Sequence, residues 1–98
     1  MAKQNLNEKE ISEKLKKECV FYEVLWRRFD KKTGGLIQDD YLDKKYATLH
    51  SAISAVSRKP KEGVLIRTTW TIIGCKKERD HFIRCCTWNE EKKILERV

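Results

Sequence analysis

The sequence predicts an α+β domain, an antiparallel sheet of three to four strands with N-terminal and central helices packed against it. Three observations carry this. Residues 63–88 read as a hairpin: Gly63-Val-Leu-Ile-Arg-Thr-Thr-Trp-Thr-Ile-Ile-Gly-Cys75 and Asp80-His-Phe-Ile-Arg-Cys-Cys-Thr-Trp88 are rich in β-branched and aromatic residues, and they flank the charged quartet Lys76-Lys-Glu-Arg79. Leu42, Tyr46, Leu49, Ile53 and Val56 recur at steps of four, three, four and three, the spacing of one helix face. Asn7 followed by Glu10 has the form of a capping box at the start of a further helix.

Taken in order, residues 7–18 form the first helix. Leu6 and Ile11 stand where a hydrophobic staple needs them. Its apolar stripe is narrow (Ile11, Leu15, Cys19), so the helix depends on docking to the rest. Val20 to Phe29 is a strand. Val20, Tyr22, Val24 and Trp26 line one face; Phe21, Glu23, Leu25, Arg27 and Phe29 line the other. Apolar groups on both faces mark a central or well-covered strand. Asp30-Lys-Lys-Thr-Gly-Gly35 is a turn, because glycine supplies positive φ. Leu36 and Ile37 open a short strand or a loop, diluted by Gln38-Asp-Asp40.

Asp40 and Thr48 are both candidate caps for the central helix. If Thr48 caps it, the helix spans 49–58 and 41–46 is extended. Pro60 terminates it. In the hairpin, Val64, Ile66, Trp70 and Ile72 fall on one face, interrupted by Thr68, and are expected to meet the central helix. After Trp88, Asn89 with Glu90 and Glu91 favours a last short helix over a third strand, with Ile94, Leu95 and Val98 packing.

The 98 residues form one domain, 1–98, with a single core. No apolar run is long enough for a membrane span, and residues 1–7 lack a secretory signal, so a cytoplasmic protein with no membrane partner is expected. The net charge is +7 and is uneven. Residues 42–62 have five basic against two acidic side chains, as do residues 63–88, while 20–41 and 89–98 balance. Such an excess suits nucleic acid or an acidic protein surface.

No nucleophile elbow, phosphate-cradling glycine loop or His-x-Glu metal signature occurs, and the only histidines are His50 and His81, so the domain reads as non-enzymatic. Cys19, Cys75, Cys85 and Cys86 contain no Cys-x-x-Cys pair and read as buried or half-buried thiols. Cys85 and Cys86, adjacent in a strand, are expected on opposite faces. Cys75, His81 and Cys85 bracket the hairpin turn, but Cys-x5-His-x3-Cys is not a zinc pattern, and neither metal nor cofactor is expected. The candidate partner-binding residues form three basic clusters: Arg27 and Arg28 beside Trp26; Arg58, Lys59 and Lys61 around Pro60; and Lys76, Lys77 and Arg79 at the hairpin tip. Arg67 and Arg84 also project from the hairpin strands, and arginine among strand aromatics can hold phosphates and stack bases.

The order of a capped charged helix, the strand Phe21-Tyr-Glu-Val-Leu-Trp-Arg-Arg-Phe29, the helix Thr48-Leu-His-Ser-Ala-Ile-Ser-Ala-Val56 and a two-strand finish resembles small accessory proteins that temperate bacteriophages encode near their recombination and early-control genes. The likeness is one of layout and carries no individual functional residue. It implies a host-takeover role: binding and redirecting a host protein that acts on nucleic acid, such as a nuclease or helicase, in the host cytoplasm. The two readings of function are therefore a modulator acting by protein–protein contact and a direct DNA- or RNA-binding protein using a basic hairpin surface.

Overall fold

The computed structural model describes residues 7–98. The chain runs α1 (Glu8–Glu18), β1 (Cys19–Asp30), β2 (Leu36–Tyr41), α2 (Leu49–Ser57), β3 (Ile66–Glu78), β4 (His81–Asn89) and β5 (Ile94–Arg97). The strands form a five-stranded sheet in the order β2-β1-β3-β4-β5, every neighbouring pair antiparallel. The α+β class holds, and the sheet is larger than the three to four strands expected.

The capping box at the start of α1 is complete: the Glu10 amide donates to Asn7 Oδ1 at 2.8 Å and the Asn7 amide to Glu10 Oε1 at 3.4 Å. The staple residue Leu6 lies outside the described residues. Thr48, not Asp40, caps α2, accepting from the Ser51 amide at 3.1 Å. Leu42 and Tyr46 precede that helix yet pack on the same core as Leu49, Ile53 and Val56. They are held there by backbone bonds to β1: the Leu42 amide donates to the Val24 carbonyl, and Tyr46 exchanges two bonds with Tyr22. In the turn after β1, Asp30 Oδ1 accepts from the Lys32 and Thr33 amides and Gly34 takes φ +77°.

The main core lies between the helices and one sheet face, built from Leu15, Tyr22, Val24, Leu49, Ala52, Ile72, Cys86 and Leu95. Helix α1 also closes the edge of the sheet. Ser12 Oγ, buried, accepts the amide of Leu95 on edge strand β5 at 2.8 Å, so a donor that would invite another strand is occupied. The opposite sheet face has a smaller cluster of Leu25, Ile73 and Cys75, flanked by Phe21 and Tyr41, and neither helix covers it.

Three expectations are corrected. The apolar stripe of the hairpin begins at Trp70, not Val64: Ile72 is 3% exposed, but Val64 is 92%, Leu65 75% and Ile66 37%. The segment before β3 folds back on itself, with the Thr68 amide bonded to the Lys61 carbonyl and the Gly63 amide to the Ile66 carbonyl. Val64 and Leu65 therefore occupy the apex of a turn and face solvent. The charged quartet is not the hairpin turn. Strand β3 continues to Glu78, and Arg79-Asp80 makes a two-residue turn with Arg79 at φ +59°. Finally, 94–97 is strand rather than helix. Asn89 does cap one turn, its Oδ1 accepting from the Lys92 amide. Lys93 then adopts φ +59°, which ends the turn and sends the chain back along β4.

Candidate functional site

Strand periodicity assigns each basic residue to a face, and the three predicted clusters do not converge. Arg28 stands over the Trp26 ring at 5.1 Å, and Lys59 over Trp70 at 5.5 Å. Trp26 and Trp70 are cross-strand partners, and Trp70 Nε1 donates to the Pro60 carbonyl at 2.9 Å. Arg28, Lys59 and Pro60 thus gather around one tryptophan pair on the helix-bearing side. Arg58 ends α2, its amide capping the Ala55 and Val56 carbonyls, and Lys61 borders a hollow lined by Trp70 and Trp88, beside Glu90. The tip residues Lys76, Lys77 and Arg79 lie about 23 Å away along β3, at about 3.3 Å for each of seven residues from Trp70 to Lys77. Lys76 faces the helix side opposite Cys19, and Lys77 faces the uncovered side opposite Phe82. Arg27, opposite Thr69, also faces the uncovered side.

That uncovered face interleaves cations with rings. Arg67 stands over Phe29 at 5.4 Å, Lys45 over Phe21 at 5.2 Å, and Arg84 over Tyr41 at 4.2 Å. Phe21 and Phe82 meet edge to face with centroids 5.1 Å apart. Arg84 lies across the sheet from β4, its Nε donating to Glu23 Oε1 on β1 at 3.1 Å before its guanidinium reaches Tyr41 at the end of β2. This side chain roofs Cys75, which is only 2% exposed. Beside it, Phe21, Lys45, His81 and Phe82 line an open groove of about 550 Å³. Arg27, Lys45, Arg67, Lys77 and Arg84 share this face with the carboxylates of Glu23 and Asp39, of Glu62 opposite Arg67 and of Glu96 opposite Thr87. The sequence reading noted Arg67 and Arg84 but missed Lys45, Tyr41 and the role of Phe21, Phe29 and Phe82. Odd-number alternation along 21–29 was the available signal for Phe21 and Phe29. Nothing local placed Lys45.

The other side of the sheet holds a cluster of thiols. The Sγ atoms of Cys19 and Cys86 are 3.5 Å apart, those of Cys19 and Cys85 3.7 Å, and those of Cys85 and Cys86 3.7 Å. Cys85 and Cys86 were expected on opposite faces. Two β-bulges assemble the cluster, and the one at Cys85 undoes that alternation. One between Cys19 and Phe21 leaves Val20 unpaired and turns Cys19 to the face of Tyr22; a second leaves Cys85 unpaired between Arg84 and Cys86. Gly74 is the floor between them: a Cβ there would lie 2.6 Å from both Cys19 Sγ and Cys86 Sγ. Burial pushes the Cys19 thiol up to about 11 and raises Cys86 and neighbouring Tyr22 as well. Neither Cys19 nor Cys86 is poised as a nucleophile near neutral pH. Cys75, His81 and Cys85 are not brought together: Cys75 pairs with Arg84 on the other face, and His81 lies at the hairpin end opposite Glu78.

No family model, curated protein or solved structure matches this chain. Among the described residues no helix is long and apolar enough to cross a membrane.

Proposed function

We propose that this protein is a non-enzymatic binding module whose uncovered sheet face takes single-stranded nucleic acid. The observation that carries the reading is the alternation of rings and cations on that face, with Phe29, Phe21 and Tyr41 each matched to a cation and Phe82 exposed beside them. Aromatic rings stack on any base, and arginines between them hold phosphates, so such a surface binds single strands with little sequence preference. A duplex hides its base faces and offers only phosphates to the same surface.

The test is fluorescence anisotropy with a labelled single-stranded oligonucleotide and its duplex. The single strand is expected to bind more tightly. Neutralising four or five phosphates gives a log–log salt slope of about −3, at about −0.7 per contact. Phe82→Ala is expected to weaken binding about 5-fold or more, since one base stack contributes about 1–3 kcal/mol. Equal affinity for duplex, or no effect of Phe82→Ala and Arg67→Ala, sinks the reading. Combined reversal of Lys76 and Arg79 to glutamate, which spares Lys77 on the face, distinguishes the tip from the face: an effect confined to that variant moves the site to the tip.

A second reading, a modulator that docks onto a nucleic-acid-processing enzyme of the nuclease or helicase class, is favoured by a different feature. Leu36 and Ile37 on β2 and Val64 and Leu65 at the turn are all exposed at one end of the sheet, where the Lys31 amide, in the turn between β1 and β2, bonds the Leu65 carbonyl. An exposed apolar patch of this sort suits protein contact. Pull-down from bacterial lysate with and without nuclease treatment separates the two: a partner retained after nuclease supports docking, and one lost with the nucleic acid supports direct binding.

A further inference from the structure

We infer that Cys19, Cys85 and Cys86 form a binding site for a thiophilic divalent d10 cation, zinc being the reference ion, with a fourth position open to solvent. Three separate features of the fold converge on this spot. The bulge at Val20 re-aims Cys19, the bulge at Cys85 brings two adjacent sulfurs to one side, and Gly74 leaves room for them. Each alone is a local irregularity; together they place three sulfurs from two strands around the bare backbone of a third. Bulges that re-aim a side chain recur beside functional sites.

The triangle has the right size. A zinc–thiolate bond of about 2.3 Å gives a tetrahedral sulfur–sulfur edge of about 3.8 Å, and a planar three-coordinate ion an edge of about 4.0 Å. The observed edges are 3.5, 3.7 and 3.7 Å, closer to the face of a tetrahedron. An ion about 2.3 Å from each sulfur then sits about 1 Å out of their plane, which leaves a fourth ligand position. Cys19 and Cys85 are half-buried and supply an entry route, while Cys86 is sealed at the base. Three thiolates and a divalent ion leave one negative charge. Register places Lys76 beside Cys19 and Arg97 beside Cys86 on the same side of the sheet, where they offset it. Soft sulfur donors select against magnesium and calcium, which take oxygen ligands. On binding, each thiol releases its proton, so affinity rises with pH.

The experiment uses the full chain, fully reduced and handled without oxygen. Cobalt(II) is titrated as a spectroscopic stand-in and then displaced with zinc. Expected are one cobalt per chain, sulfur-to-cobalt charge-transfer absorption, ligand-field bands of the tetrahedral type, and loss of all of them as zinc is added. Cys85→Ser, at a half-buried position, should leave the far-UV circular dichroism unchanged and lower affinity at least about tenfold, because one of three anionic sulfur donors is lost. Cys19→Ser should do the same. Cys75→Ser, on the opposite face, should bind as the parent does. Failure to bind cobalt or zinc at one per chain overturns the inference. So does an equal loss in Cys75→Ser, or a triangle that responds to oxidation by forming a disulfide yet holds no metal when reduced.

Discussion

Replacing Gly74 with alanine tests the packing on which the thiol cluster rests. The added Cβ would meet Cys19 Sγ and Cys86 Sγ at 2.6 Å and Tyr22 Cε2 at 3.2 Å. Ordinary contact begins at 3.4 Å, so each sulfur must retreat by 3.4 − 2.6 = 0.8 Å. Cys19 is half-buried and has somewhere to go; Cys86 is 0% exposed and does not. Overpacking a well-filled site costs about 1–3 kcal/mol. Against this stands the conformational gain of alanine over glycine in a strand, about 0.5–1 kcal/mol. The net expectation is a loss of about 1–2 kcal/mol. With a urea m-value of about 1 kcal/mol/M for a chain of this size, the unfolding midpoint falls by about 1–2 M. The clash also predicts coupling. In a Cys86→Ala background one of the two sulfurs is gone, so the same glycine substitution should cost at least about 0.5 kcal/mol less. Reducing conditions keep disulfides out of the comparison. A Gly74→Ala protein as stable as the parent, or strictly additive effects in the double variant, would refute the reasoning.

Two further outcomes follow from the burial pattern. Burial, reinforced by the Glu23 carboxylate, pushes the Cys75 thiol up to about 12, whereas an unfolded chain's cysteine titrates near about 8.5. Between those values the unfolded state has lost a proton that the folded state keeps, so this contribution is whole below about pH 8.5 and shrinks as pH rises above it. Urea midpoints at pH 7.5 and 10 should fall more steeply for the parent than for Cys75→Ala, and parallel lines would show that the thiol plays no part. Ser12→Ala strips the edge amide of Leu95 of its acceptor and should cost about 1–3 kcal/mol. Amide exchange at Leu95 should accelerate more than exchange at Ile72, and a change of less than about 0.5 kcal/mol would mean water replaces the hydroxyl without penalty.

Local signals in the sequence were enough for every element whose cause is local. Asn7 and Glu10 specify the start of α1, Thr48 and Pro60 bracket α2 to within a few residues, and Gly34 marks the turn after β1. The alternation along 20–29 already sorted Tyr22 and Val24 from Phe21 and Leu25, and those pairs now lie in separate clusters on the two faces. What tertiary structure decided was register. Whether Cys85 and Cys86 diverge or meet depends on one unpaired residue in a ladder with β3, and no property of the dipeptide encodes that. Asn89 opens either a helix or a tight turn with equal ease; pairing along β4 and the Ser12 hydroxyl over Leu95 select the strand. Val64 and Ile66 match the apolar stripe by spacing, yet the return bonds from Lys61 and Gly63 lift them out of it. A periodicity reports which side chains can share a face, and only the neighbouring strand fixes which face that is and where the ladder slips.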